Sequence, residues 1–259
     1  MSSNTVSTGL SGHTVVVPGG TGAIGEGVVR AYLGAGADVV VPTRSQARAD
    51  EFTELLRGPP TEHLHLVVED YSSFDAATRL ADRVNREFGA VDHVVAPIGG
   101  WWAGKPVWEI EESDWQSVFV GLATTHMAIV RAFLPRLSDR GSYHLIVGTS
   151  AYTPMPGSGL VSIEQAALLM MRNVLAAELG DRQRVFALVL GLMSTRLTGP
   201  VDPDAVTSDQ VGAVAVAASS APTVDGQEIL LRGQPDVAGT LTMLTSTQAR
   251  RLRNHQPHR

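Results

Sequence analysis

The stretch "TVVVPGGTGAIGEGVVRAYLGAGA", residues 14–37, decides how the rest of the chain is read. It opens with four β-branched residues, which favour an extended strand. Gly19, Gly20, Gly22 and Gly25 follow, and then Ile24, Val28, Val29 and Tyr32 recur at helical spacing. Strand, glycine turn and helix in that order bring bare backbone N–H groups and the positive end of a helix dipole to one point, where a pyrophosphate can sit. Glycines alone mark any turn. Their position after the first strand of a βαβ unit makes this a dinucleotide site, with Gly19, Thr21, Gly22, Ala23, Ile24 and Gly25 as its backbone.

Working outward, short β-branched runs alternate with longer segments of helical periodicity. Seven runs read as strands: residues 14–17, 38–41, 63–68, 92–96, 143–147, 185–190 and 228–231. They are continuous apolar runs, as in parallel strands buried on both faces. Phe74, Ala77, Leu80, Val84 and Phe88 line one helical face; Trp115, Val118, Leu122, Ile129 and Phe133 line another behind a Ser113 or Asp114 N-cap. The expectation is an α/β fold, a single Rossmann-type doubly wound parallel sheet of about seven strands with helices on both faces. The domain is expected over 1–233, with 1–9 a flexible N-terminus. The segment 234–259 ends in "ARRLRNHQPHR", a basic stretch with no apolar periodicity, and reads as a tail, partly mobile or docked on a neighbouring subunit.

The 259 residues carry a formal charge of -6, which argues against a nucleic-acid or anionic-membrane partner and leaves a small-molecule substrate. With no cysteine, disulfides, thiolate metal sites and thiol redox chemistry are excluded. The N-terminus lacks a signal-peptide layout and no apolar run approaches about 18 residues, so a cytoplasmic protein is expected. His63 and His65 share a strand face but have no third ligand nearby, and no metal is expected.

Pro18-Gly19-Gly20-Thr21-Gly22-Ala23-Ile24-Gly25 resembles the glycine turn of the short-chain dehydrogenase/reductase family, with proline in place of the leading threonine. The resemblance runs over nearly the whole domain. It implies that Asp70, with Tyr71 beside it, lies near the adenine, that Ala96 ends the fourth strand, and that Gly191 and Thr195 lie near a nicotinamide carboxamide. At the end of the second strand Thr43 stands in the acidic slot with Arg44 next to it; a basic residue there accepts a 2′-phosphate, which favours NADP(H) over NAD(H).

That family works through an asparagine, a serine, a tyrosine and a lysine four residues after the tyrosine. By the same resemblance these slots hold Leu122, Gly148, Val161 and Gln165. Lys105 is the only lysine in the chain and no tyrosine has a lysine four residues on, so the pair is missing in any register. Losing the proton donor costs about 10²–10⁴-fold in general acid–base catalysis. Substitute candidates are Tyr152, Thr149, Ser150 and Lys105, with His126, Thr124 and Thr125 on the helix beyond Leu122. Trp101, Trp102 and Trp108 gather on the loop after the fourth strand, and the first two read as a substrate wall.

Three functions stay open: an atypical NADP(H)-dependent oxidoreductase acting on a small apolar or aromatic substrate; a non-redox cyclase, isomerase or dehydratase; or a noncatalytic partner or sensor. The helices carrying Leu122 and Gln165 would form the family's subunit interface, implying a homo-oligomer.

Overall fold

A computed structural model describes residues 9–56 and 61–254, with side chains to 246. The segment 1–8 and the side chains of the basic terminal stretch lie outside the described residues. Chain order runs β1 (Thr14–Val16), α1 (Ala23–Gly34), β2 (Asp38–Thr43), α2 (Gln46–Leu55), β3 (Leu64–Val68), α3 (Phe74–Phe88) and β4 (Val91–Ala96). It continues with α4 (Glu112–Asp114), a π-helical stretch (Trp115–Val120), α5 (Gly121–Phe133), β5 (Leu137–Gly148), α6 (Gly159–Leu179) and β6 (Arg184–Leu190). The last elements are β7 (Met193–Ser194), β8 (Val206–Thr207), α7 (Ser208–Ser219), β9 (Glu228–Leu231) and α8 (Gln234–Asn254).

Seven strands make one parallel sheet in the order β3-β2-β1-β4-β5-β6-β9, and β7 pairs with β8 apart from it. The order reverses between β1 and β4, which opens a crevice at their carboxyl ends. One sheet face is covered by Val28, Val29 and Tyr32 of α1, Val211 and Val214 of α7, and Val237 and Leu244 of α8. The other is covered by Leu80 and Val84 of α3, Ile129 and Phe133 of α5, and Leu168 of α6. The Rossmann-type sheet expected from the sequence is the one observed.

Several local expectations are corrected. The segment after Gln234 is no featureless tail: α8 seats Val237 and Leu244, 3% and 0% exposed, in the core of its own domain. Two anchors among polar neighbours carry too weak a periodicity to notice. The helix through Trp115 starts earlier than a Ser113 or Asp114 cap: Glu111 is the N-cap and exchanges a capping box with Asp114. Phe74 is 43% exposed and does not join its helix's buried stripe. β5 begins at Leu137 because the chain bulges around Arg140, whose φ is 60°, before its pairing with β4 resumes at Ser142. The spans Glu112–Arg136 and Gly159–Leu179 are long and apolar enough to cross a membrane by length and composition, contrary to the sequence reading. Each packs one face on the sheet.

The helices α1 and α7 touch backbone to backbone. A Cβ added at Gly27 would lie 2.2 Å from the Ser208 carbonyl carbon, and one at Gly212 would lie 2.3 Å from the Gly27 oxygen. At the amino ends of the strands, buried Arg184 donates to the carbonyls of Ala218 (2.8 Å), Ala221 (3.0 Å) and Ser219 (3.1 Å), closing the end of α7.

Candidate functional site

The turn after β1 lies against the chain leaving β4. Gly19 has φ +86°, and a Cβ there would stand 2.5 Å from the Pro97 oxygen; a Cβ at Gly25 would stand 2.3 Å from the Gly19 oxygen. Only glycine fits either place. Gly22 is the N-cap of α1 and no side chain caps that end, so first-turn amides face the crevice for a ligand or solvent to meet.

At the end of β2, Thr43 is 2% exposed and its Oγ1 has no hydrogen-bond partner. Arg44 beside it is exposed. The half-buried Tyr71 phenol lies by the Gly19 backbone and near both Arg44 and Arg48, and burial pushes its pKa up. Arg48 escaped the sequence reading; its signal was its place four residues beyond Arg44, in the first turn of α2. Asp70 accepts from Ser72 N (3.1 Å) and Ser72 Oγ (2.9 Å), holding the turn after β3. Ala96 is buried at the end of β4. At Gly191, just after β6, a Cβ would stand 2.4 Å from the Arg232 oxygen, so that glycine admits the neighbouring chain. Thr195 Oγ1 accepts from Leu197 N at 3.2 Å and borders a cavity of about 310 Å³ shared with Ala23, Glu26, Ser194 and Arg196.

The second half of the site lies between α5 and α6. Gly148 N donates to Gln165 Oε1 at 2.5 Å, joining the two residues that the resemblance puts in the serine and lysine slots. Ser150 Oγ lies 3.2 Å from where a Gly148 Cβ would stand. Val161 packs with Val118 and Leu160 against Trp102, Ile110 and Trp115. Trp102 therefore belongs to a small apolar cluster, while Trp101 and Trp108 are 66% and 84% exposed. The two adjacent tryptophans do not stand in one wall.

Two substitute proton carriers are already engaged. Lys105 is held by Asp114 at 2.7 Å and Glu111 at 3.3 Å, which raises its pKa and leaves its charge balanced. Tyr152 donates to Glu228 at the start of β9; burial and that carboxylate push the phenol up to about 12. In register, Glu228 lies three residues short of the level of Gly148, because Gly148 pairs across Leu190 to Leu231. Thr149 starts a single 3₁₀ turn and its carbonyl accepts from Tyr152 N at 3.0 Å. Thr125 Oγ1 donates to the Gly121 carbonyl of its own helix at 2.8 Å, and Thr124 is exposed. His63 and His65 both bond Asp38, at 3.1 and 3.0 Å, and no metal-ligand cluster occurs among the described residues.

Sequence reasoning passed over Glu164. It is 1% exposed, and burial pushes its carboxyl up to about 7. Its Oε2 accepts from Gln165 Nε2 at 2.7 Å, and its Oε1 lies 4.0 Å from His126 Nε2. His126 is fully buried, donates to the Ile98 carbonyl at 3.0 Å, and is pushed down to about 4 by burial. The only available signal was a lone acid inside the apolar run "SGLVSIEQAALLMM".

Sheet order, switch point and glycine turn define a Rossmann-type α/β protein. A family model described as enoyl-(acyl carrier protein) reductase matches residues 19–230. A short chain dehydrogenase of Pseudocercospora fijiensis is 32% identical over 197 residues, 74% of this chain and 63% of that protein. Mouse dehydrogenase/reductase SDR family member 4 is 24% identical over 246 residues, 93% of this chain and 83% of that one. A short chain dehydrogenase from Burkholderia cenocepacia, solved in complex with NADP, superposes with a TM-score of 0.76 at 20% identity, covering 86% of this chain and 98% of that one. A blue fluorescent protein from a metagenomic library, in complex with NADPH, superposes with the same score, identity and coverage. The chain belongs to the short-chain dehydrogenase/reductase family.

Proposed function

We propose that this protein is an atypical NADP(H)-dependent oxidoreductase that acts on a small apolar or aromatic substrate without the family's asparagine, serine, tyrosine and lysine relay. The observation that carries the reading is the crevice itself. Its glycines let the turn close on itself and on the chain leaving β4 where a Cβ would collide, no side chain caps the first-turn amides of α1, and the buried Thr43 hydroxyl has no partner within the protein. Solved relatives bound to NADP or NADPH support the same reading.

A bound nicotinamide would supply hydride transfer. The α1 amides would hold the pyrophosphate, and Thr43 would face the adenosine ribose. Arg44, with Arg48 one turn away, would neutralise a 2′-phosphate; Asp70 and Tyr71 would border the adenine, and Ala96, Gly191 and Thr195 the nicotinamide end. Ser150 is the hydroxyl nearest the empty serine slot and would orient the substrate, with Thr149 beside it and Trp101 flanking the entrance. The substrate either carries its own proton relay or is an activated acceptor, such as an iminium or a conjugated system. The apolar groups at Leu122 and Val161 favour a second reading, a non-redox cyclase, isomerase or dehydratase.

Exposed Met127, Ile163, Met170 and Val174 on α5 and α6 support a second copy of this chain as the partner of that face, in a cytoplasmic homo-oligomer. The testing experiment is a titration with NADPH and with NADH, followed by tryptophan fluorescence and calorimetry. Selective NADPH binding is expected; binding of neither nucleotide moves the weight to the non-redox or noncatalytic readings.

A further inference from the structure

Between α5 and α6 the core closes over a carboxylic acid and an imidazole. His126 Nε2 donates to the Ile98 carbonyl, which can only accept, so its Nδ1 is a bare acceptor, and that atom has no partner. Glu164 Oε1 has none either. Among the described residues, no lysine or arginine pairs with Glu164, and His126 is the titratable group facing it. A carboxyl kept only for packing is ordinarily closed by an opposite charge or by saturated hydrogen bonds. Here one oxygen is bonded and the other is left open toward an uncharged ring. Burial also inverts the usual order of acid strength: the carboxyl is raised to about 7 and the imidazole lowered to about 4, so the proton stays on Glu164.

The bonded oxygen leads to the site. Gln165 Nε2 donates to Glu164 Oε2, and Gln165 Oε1 accepts from Gly148 N, so Glu164 fixes which way the amide in the lysine slot points. We infer that Glu164, facing His126, is the proton store of this site and acts on the molecule held in the crevice through Gln165. This rests on the crevice being the dinucleotide site. Glu164 is a positioning and proton-holding residue. Between about pH 4 and pH 7 acid and imidazole are both neutral. Glu164 loses its proton to solvent when positive charge arrives in the crevice, as with an oxidised nicotinamide, and takes one proton back when that charge is gone. Only an O–H bond breaks and re-forms.

The test is infrared spectroscopy of the full chain with isotope-labelled glutamate, with calorimetry in parallel to report nucleotide binding. A protonated-carboxyl band is expected near pH 5.5, absent in Glu164→Gln, and losing at least about half its intensity by pH 8.5. At pH 7, NADP⁺ should lower the band relative to NADPH. Gln165→Leu should keep the band, move its titration to higher pH because the hydrogen bond that lowers the Glu164 carboxyl is gone, and abolish the difference between nucleotides, which also keeps the inference testable if Glu164→Gln fails to fold. A band absent at pH 5.5, one unchanged to pH 9, or a nucleotide difference that survives in Gln165→Leu overturns the inference. So does a band blind to nucleotides that calorimetry shows are bound, and in that case the dinucleotide reading stands. If neither nucleotide binds, the reading and the inference fall together.

Discussion

The crevice is built from two kinds of material, and the two halves answer to different constraints. The half around β1 and α1 is backbone: its shape depends on Gly19 and Gly25 having no side chain where the Pro97 and Gly19 oxygens pass. The half between α5 and α6 is side chain, and it holds Leu122, Gly148, Val161 and Gln165 where the family's chemistry would sit. Backbone geometry is locked by packing, because a methyl group at Gly25 collides with the turn that makes the fold. Side-chain chemistry can be exchanged while the helix keeps its packing, as Val161 does with 6% exposure. Similarity of fold therefore informs on the first half and is nearly silent on the second.

The sharpest way to break this contrast is Gly25→Val. Its side chain would drive into the Gly19 carbonyl, and nucleotide affinity should fall at least about 100-fold, roughly 3 kcal/mol, by calorimetry. Retained binding would mean that the cradle is not the site.

Next comes Glu164→Gln, read by thermal unfolding against pH. The folded pKa of Glu164 lies above its unfolded value, so its contribution to stability is fully present below about pH 4.5 and is lost as pH rises through about 7. His126 runs the other way: its folded value lies below the unfolded one, so stability is lost as pH falls from about 6.5 through about 4. The variant should match the wild type near pH 5 and exceed it near pH 8, by an amount on the order of 2 kcal/mol. Equal profiles would show an ordinary ionised carboxylate.

Arg44→Ala should weaken NADPH about tenfold, roughly 1.4 kcal/mol, and NADH much less; equal losses would remove the 2′-phosphate assignment. Smaller again is the gain from Val161→Tyr with Gln165→Lys, expected as weak carbonyl reduction in an NADPH oxidation assay. A folded, nucleotide-binding double variant with no gain would count against the placement of those slots. Lys105→Ala should leave nucleotide affinity unchanged, since Asp114 and Glu111 already hold that ammonium; a clear loss would return Lys105 to the site.

What could be read without coordinates follows the same division. The inner sheet strands were legible because strands buried on both faces must be apolar throughout, and the part-exposed edge strands β3 and β9 because short apolar runs fall where the βαβ alternation puts a strand. The glycine turn was legible because backbone demands fall on one residue type. Partnership was not legible. Nothing in the sequence says that Lys105 meets Asp114, that Tyr152 reaches Glu228 some 76 positions away, or that Glu164 turns inward to His126. Such pairs depend on how two helices rotate against each other, and a glutamate in an apolar run reads by default as solvent-facing. The early extension of β5 was hidden for a related reason, since Arg140 adopts a left-handed backbone at φ 60° that residue type does not announce.

The contact of Gly27 with α7 sets a limit on how this protein can vary. A helix of 12 residues is about 18 Å long, so a small sideways push near its first turns swings the end that faces the crevice. Gly27 and Gly212 let α7 act as a fixed rail along which α1 lies without play. Variation that enlarges either glycine would tilt the rail and detune the anion site while leaving every residue that faces it unchanged. The aim of the amides thus depends on a neighbouring helix as much as on the glycine turn itself.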